Sequence, residues 1–296
     1  MSLSKAKKPT AIKKRLKMFV FGPAGVGKTT AAIQFPKPVL VDTEAGAEND
    51  QYVKKLNAVG GIYLGPREGA TNFETLMELV RDLLSKPHDY RTLVIDPLTV
   101  VYNNMLDEQA AITGTDYGKH KAIPDRKVKA LMVLLTRLDL NVVITSHQKA
   151  KWVKGRDSQG RETLAQDGDT FDCMSKLDYM FDLALKIEKR GKDRFAQVIK
   201  TRVEEFPEDT VLPFSYAEFA KRYGMERMEA AAVPVALATK EQAEEAAALV
   251  VKAGIPADTV EKWMAVAQAN DWDDMPADTI AKCIAHMRTR VTPITP

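Results

Sequence analysis

Residues 18–29 read Met-Phe-Val-Phe-Gly-Pro-Ala-Gly-Val-Gly-Lys-Thr. Gly22, Gly27, Lys28 and Thr29 stand in the spacing G-x-x-x-x-G-K-[ST], a pattern built to hold phosphate. The glycines let the backbone turn its N–H groups inward. The lysine reaches the β- and γ-phosphates, and the hydroxyl that follows ligates Mg²⁺. The cradle expected to bind nucleotide is Gly22, Pro23, Ala24, Gly25, Val26, Gly27, Lys28, Thr29 and Thr30. At ordinary residue usage the four fixed positions recur by chance in roughly one chain of this length in a hundred. An apolar strand leading in over 18–21, and a helix leading out over 29–35 to Pro36, sharpen the match.

Three further polar groups follow short apolar runs. Pro38–Asp42 leads into Thr43 and Glu44, and Thr92–Asp96 ends in an aspartate. The run 141–145 leads into Ser146, His147 and Gln148. Polar side chains at the C-terminal ends of parallel strands lie where open α/β sheets bind ligands. Asp96 fits a Walker B aspartate that helps Thr29 hold Mg²⁺. Glu44 is placed to orient and deprotonate the attacking water, with turn capping by Asp42 and Glu44 as the plainer alternative. Gln148, or His147 beside it, is placed to sense the γ-phosphate, with strand-end capping as the alternative.

Elements that hold these ends in place are legible between them. Residues 60–64 suggest a short strand, 72–85 an amphipathic helix, 98–110 a helix, 111–124 a loop, and 125–139 a second amphipathic helix. Segments 180–189 and 195–202 alternate like an antiparallel hairpin, and 216–223 suggests a short closing helix. Segment 226–238 is expected to be a linker. Beyond it, Ile255-Pro-Ala-Asp-Thr-Val-Glu-Lys recurs as Met275-Pro-Ala-Asp-Thr-Ile-Ala-Lys. With a capping box from Thr239 to Gln242, this predicts a small three-helix unit over 239–296.

Charge is uneven. Residues 1–17 carry seven cations and no acid, suggesting a basic arm, either a solvated tail or one that touches nucleic-acid phosphates or a neighbouring subunit. Segment 149–161 holds Lys149, Lys151, Lys154, Arg156 and Arg161 with Trp152 and one acid, and suggests a mobile loop, with a plain solvated loop as the alternative to a functional one. Cations to track phosphates and a ring to stack on bases suit single-stranded nucleic acid. Lys200 and Arg202 share one strand face, either as protective edge charges or as contacts to a nucleotide in a neighbouring subunit.

Composition narrows the classes. The chain has 296 residues, 45% hydrophobic and 28% charged, with net charge +3, which is ordinary globular composition. Cys173 and Cys283 form no C-x-x-C, and His88, His120, His147 and His286 lack metal-ligand spacing. A reducing, cytoplasmic setting is expected, without a membrane span. The nearest string to a guanine-reading Asn-Lys-x-Asp is 175–178, which no apolar strand precedes; this argues against a GTPase.

The ordered motifs resemble the RecA-like ATPases. They are most similar to the compact phage ATP-binding proteins of the AAA-labelled kind that act as Sak-type single-strand annealing recombinases. The resemblance covers roughly 18–223 and implies a RecA-like P-loop core with a mainly parallel sheet flanked by helices over 18–225. It also implies ATP and Mg²⁺ as cofactors, Glu44 as the residue activating water, and Asp96 as the Walker B acid. Lys28 and Gln148 complete the catalytic set, Gln148 coupling γ-phosphate to a DNA-binding loop. Lys200 and Arg202 act on ATP across a subunit interface, in a homo-oligomer on single-stranded DNA. Pro97 departs from the serine common after Walker B, and nothing matches RecA's own terminal domains, so annealing is implied more than strand exchange. A rival reading is a nucleotide-gated loader whose C-terminal helices recruit a replication partner, such as a single-strand-binding protein.

Overall fold

The computed structural model describes residues 14–156 and 159–291. Its centre is a sheet of strand order β3-β2-β4-β5-β1-β7-β8-β9. The strands are β1 (Lys17–Gly22), β2 (Pro38–Asp42), β3 (Ile62–Leu64), β4 (Thr92–Asp96), β5 (Asn141–Arg156), β7 (Leu183–Arg190), β8 (Asp193–Thr201) and β9 (Val211–Pro213), with β6 (Glu162–Phe171) paired to β5 off this path. From β3 through β7 the neighbours run parallel, and β8 and β9 return antiparallel.

Both sheet faces are covered, which is why the central strands are nearly continuous apolar runs. Alternation divides each strand between two cores. Phe19, Phe21, Val41, Ile95 and Ile144 pack on one side against α3 (Phe73–Ser85), α4 (Leu98–Thr113) and α5 (Ala122–Arg137). Met18, Val20, Leu40, Val94 and Val143 pack on the other. There they meet α1 (Lys28–Ala32) and the segment from α6 (Tyr216–Phe219) to α7 (Met225–Glu229). On α3, Leu76, Val80, Leu83 and Leu84 are buried, each worth ~1.5–3 kcal/mol over exposure. Asn72 caps that helix by accepting from Thr75 N–H. Short α2 (Asp50–Ala58) lies between β2 and β3.

The C-terminal unit is α8 (Lys240–Lys252), α9 (Ala257–Ala267) and α10 (Ala277–Val291), with a separate core that includes Leu249, Ile255, Met275, Ile280 and Met287. The predicted capping box from Thr239 to Gln242 forms. The two repeat copies start helices at the same point, directly after Pro256 and Pro276. The mainly parallel sheet with flanking helices is the core that the resemblance implied, and the helical C-terminal unit is the one that the capping box and the repeat predicted.

Three expectations are corrected. Segment 149–161 belongs largely to a β-hairpin, because β5 runs on past residue 148 and pairs antiparallel with β6. Segment 226–238 is no free spacer. It contains α7, and Val235 N–H then donates to Leu84 O and Ala238 N–H to Met275 O. Nor are all arm residues solvated. Buried Arg15 donates to Asp139 Oδ1 (2.9 Å), Arg227 O (2.5 Å), Ala230 O (2.8 Å) and Ala231 O (2.9 Å). Lys17 opens β1 and bonds Leu138 O and Leu140 O. The arm's first thirteen residues lie outside the described residues. Elsewhere α4 and α5 each claim part of the expected loop 111–124.

Candidate functional site

Alternation decides which polar side chains meet. Asp42, Asp96, Thr145 and His147 share parity with Leu40, Val94 and Val143, whose side chains pack on the α1 side. They converge where the loop after β1 turns into α1. Register places Gly22 beside His147 and Asp42 beside Asp96.

Two glycines make the loop possible. A Cβ on Gly22 would stand 2.7 Å from Ile187 O on β7, so β1 and β7 approach too closely for any side chain there. Gly27 adopts φ 87°, left-handed backbone that favours glycine, and directly precedes α1. Lys28 Nζ donates to Gly22 O (2.8 Å) and Pro23 O (3.1 Å). Burial lowers its amine pKa, while Asp96 and Glu44 act against that shift.

Asp96 is the buried acid of the site. The Thr145 hydroxyl donates to its Oδ1, and the Thr29 hydroxyl also hydrogen-bonds it. Burial raises its carboxyl pKa, Thr145, Thr29 and Lys28 oppose the rise, and Asp42 adds to it. A carboxylate and a hydroxyl in direct contact form an oxygen donor pair suited to a hard cation. Thr29 and Asp96 therefore fit Mg²⁺. No group of His, Cys, Asp and Glu among the described residues resembles a separate metal centre.

The two acids after β2 have different occupations. Asp42 is buried and caps its own turn, accepting from Glu44 N–H (3.1 Å) and Ala47 N–H (2.7 Å). Glu44 reaches outward, with Oε1 3.0 Å from His147 Nε2. Gln148 lies one residue out of phase and shares parity with Ser146, whose hydroxyl meets Thr99 on α4. Gln148 Oε1 is buried without a hydrogen-bond partner. Thus His147, rather than Gln148, stands against Glu44. Thr145 is marked in the sequence only by its place two residues before His147 on the same strand face.

Beyond the site, β5 continues into the hairpin. Trp152 pairs with Gln166, and Lys154 with Leu164; Trp152 and Leu164 are exposed. The hairpin is less basic than its first strand implies, because the return strand brings acids. Lys149 pairs with Asp172 at 2.8 Å and Lys151 with Asp167 at 2.7 Å. From 149 to 172 the five cations face five acids in composition. Arg156 continues the strand opposite Glu162, and Arg161 lies just before β6.

Lys200 and Arg202 lie at the opposite end of the sheet from the phosphate loop, because β8 runs antiparallel to β7. Lys200 Nζ donates to Phe181 O, and Arg202 Nη2 to Tyr179 O (2.7 Å). The site of their own chain is out of their reach. Segment 175–178 lies at a short 3-10 turn rather than after an apolar strand.

Among solved structures the chain is similar to the RadB recombinase, with 18% identity over 67% of this chain and 86% of that one, at TM-score 0.42. It is also similar to a KaiC-like protein from Pyrococcus horikoshii, with 11% identity over 67% and 84%, at TM-score 0.37. A third is the EscN ATPase of the enteropathogenic E. coli type III secretion system, with 15% identity over 94% and 67%, at TM-score 0.34. No curated protein matches the sequence. No helix among the described residues is long and apolar enough to cross a membrane. The family model described as an AAA domain matches residues 14–213, from just before β1 to the end of β9. With the phosphate loop, the Thr29–Asp96 pair and Glu44 inside that span, the chain belongs to this AAA domain family and is an ATPase of that type.

Proposed function

We propose that this ATPase binds single-stranded DNA on its β5–β6 hairpin and promotes annealing or recombination, as a homo-oligomer in the cytoplasm, phage-type in its setting. When bound, Mg²⁺ held by Thr29 and Asp96 supplies charge neutralisation to the phosphates of ATP. Lys28 contributes a cation to the same phosphates. Glu44 takes a proton from the attacking water, and His147 holds the carboxylate in orientation through its 3.0 Å contact. Lys200 and Arg202 are assigned to a neighbouring subunit's nucleotide, since they lie at the far end of the sheet from their own phosphate loop.

One observation carries the reading: the strand that bears Thr145 and His147 at the site also bears Trp152 and Lys154 on the hairpin. At ~3.3 Å per residue, His147 and Trp152 are roughly 17 Å apart along it. A shift at the γ-phosphate end thus acts directly on the aromatic and cationic tip, the pattern of a nucleotide-gated DNA contact. The test is ATP turnover with and without single-stranded DNA, with Lys28→Ala as blank. Stimulation by DNA supports the proposal. Turnover indifferent to DNA, with Lys28→Ala inactive, rejects it in favour of a loader gated by nucleotide. Exposed Val251 and Val266 on the C-terminal helices are then the surface to probe for a protein partner such as a single-strand-binding protein.

A further inference from the structure

The phosphate loop has a neighbour that no sequence motif marks. Arg194, near the start of β8, shares parity with Ala196 and Val198 and so lies on the α1 side of the sheet. Its side chain occupies the space beside Gly27. A Cβ on Gly27 would stand 1.9 Å from Arg194 Nε and 2.8 Å from its Cζ. Residue 27 favours glycine for its left-handed backbone, and a side chain there would also displace the end of the Arg194 side chain. Arg194 Nε is buried and has no hydrogen-bond partner. A buried N–H on a cation is costly to leave unpaired, so the position calls for an acceptor. The phosphate cradle beside it is built to hold one.

The flank tells which phosphate. The metal pair Thr29–Asp96, Glu44 and His147 reach the loop from α1 and from the β2–β4–β5 side of β1. The terminal phosphate belongs there, because metal and attacking water act on it. The nucleoside end of a bound triphosphate then points away, toward β7 and β8 on the other side of β1, where Arg194 lies. We infer that Arg194 binds the α/β-phosphate end of the nucleotide in cis, as a binding residue that leaves the chemical step untouched. This rests on the phosphate loop being the nucleotide site. Arginine suits the task because its planar fork matches phosphate oxygens.

The test uses the full chain and compares Arg194→Met and Arg194→Lys with the parent and with Lys28→Ala. Thermal melting first establishes which variants remain folded; Arg194→Lys keeps a cation where methionine is not tolerated. A contact at the α/β end weakens ATP and ADP equally, by about tenfold or more for methionine. KM rises while kcat at saturation stays within a factor of about three, the signature of lost uniform binding. Competition by Mg-tripolyphosphate, which carries all three phosphates without the nucleoside, weakens by a similar factor, and lysine restores part of each loss. The inference is overturned by unchanged affinities, which would leave Arg194 a packing residue. A loss for ATP alone or a fall in kcat also overturns it, since either puts the arginine on the terminal phosphate. So does competition by Mg-tripolyphosphate that survives while nucleotides weaken, which would mean a contact to ribose or base. Nucleotide binding retained by Lys28→Ala would remove the site itself, a failure distinct from these.

Discussion

Replacing Glu44 by glutamine keeps the shape of the side chain and removes its basicity. Glu44 Oε1 lies 3.0 Å from His147 Nε2, with side chains 49% and 40% exposed respectively. A positioned general base contributes ~10²–10⁴-fold, so kcat of Glu44→Gln falls by about that factor while nucleotide affinity is kept. His147→Ala separates steering from chemistry. A polar contact this open to water is worth at most ~0.2–1 kcal/mol. If His147 only orients the carboxylate, its loss lowers kcat by no more than about fivefold. The assay is steady-state phosphate release, with binding of a fluorescent nucleotide followed in parallel. Glu44→Gln turning over within tenfold of the parent refutes the assignment of the base. His147→Ala as inactive as Glu44→Gln refutes the steering argument, and places the imidazole on the reacting phosphate instead.

On the hairpin, Trp152→Ala is expected to weaken single-stranded DNA by ~1–3 kcal/mol. Lys154→Ala should flatten the slope of log K against log salt by about 0.7. Unchanged titrations by fluorescence anisotropy for both variants remove the hairpin from the DNA interface. Arg15→Ala leaves Asp139 and three carbonyls without their cation. Arg15 is 7% exposed but Asp139 35%, so solvent screening holds the loss at or below the low end of the ~3–5 kcal/mol that breaking a buried pair costs, and Val233 N–H remains on Asp139. A loss near ~3 kcal/mol is expected, on the order of 6–12 °C in Tm; a shift under ~2 °C in calorimetry means that Arg15 anchors nothing. Burial pushes the Cys173 thiol up to about 12. A folded-state pKa raised above the usual ~8.5 gives stability that is complete below that pH and lost as pH rises toward 12. Parent stability should therefore fall relative to Cys173→Ala between pH ~8.5 and ~10.5, by up to about 1.4 kcal/mol per pH unit, in parallel urea titrations; parallel curves contradict the burial argument.

What the sequence disclosed follows from where burial is two-sided. β1, β2, β4 and the first part of β5 are covered on both faces, so each is an apolar run; those of β2, β4 and β5 stop at a polar residue and that of β1 at Gly22, and the stops mark the site. The hairpin gives no such signal. Past Gln148 the strand is Lys-Ala-Lys-Trp-Val-Lys-Gly, and most of β6 is exposed. Backbone pairing rather than burial makes it a strand, and pairing leaves no compositional trace. The segment after α7 hid for a related reason, because its anchor is Arg15, more than 200 positions earlier. Between His147 and Gln148 a one-residue step in parity decides which faces Glu44. That parity is legible only if the strand is known to run unbroken from Val143. Arg194 is beyond sequence altogether, since β8 comes back to the phosphate loop through sheet order alone.

The hairpin's base is tied to the same peptide that carries His147. His147 N–H donates to Thr99 Oγ1 (3.0 Å), the Thr99 hydroxyl donates to Asp172 O (2.8 Å), and Asp172 N–H donates to His147 O (2.8 Å). Ser146 Oγ joins the cluster at 3.0 Å from Thr99 Oγ1, and Thr99 and Ser146 are almost wholly buried. This closed ring links β5, α4 and the end of β6, so displacement of His147 at the phosphate end cannot leave the hairpin's root unmoved. If the proposed DNA contact is gated by nucleotide, the coupling is reciprocal: any factor by which ATP changes DNA affinity equals the factor by which DNA changes ATP affinity. Thr99→Val keeps the volume and removes the shared hydroxyl, whereas Thr99→Ser keeps the hydroxyl. Unpaired groups left by valine cost ~1–3 kcal/mol of stability, which serine spares. If the ring transmits the signal, valine brings the coupling factor toward one and serine preserves it, with basal turnover in both near the parent's. Equal coupling in valine and serine would mean that the β5 backbone alone carries the change from nucleotide to hairpin.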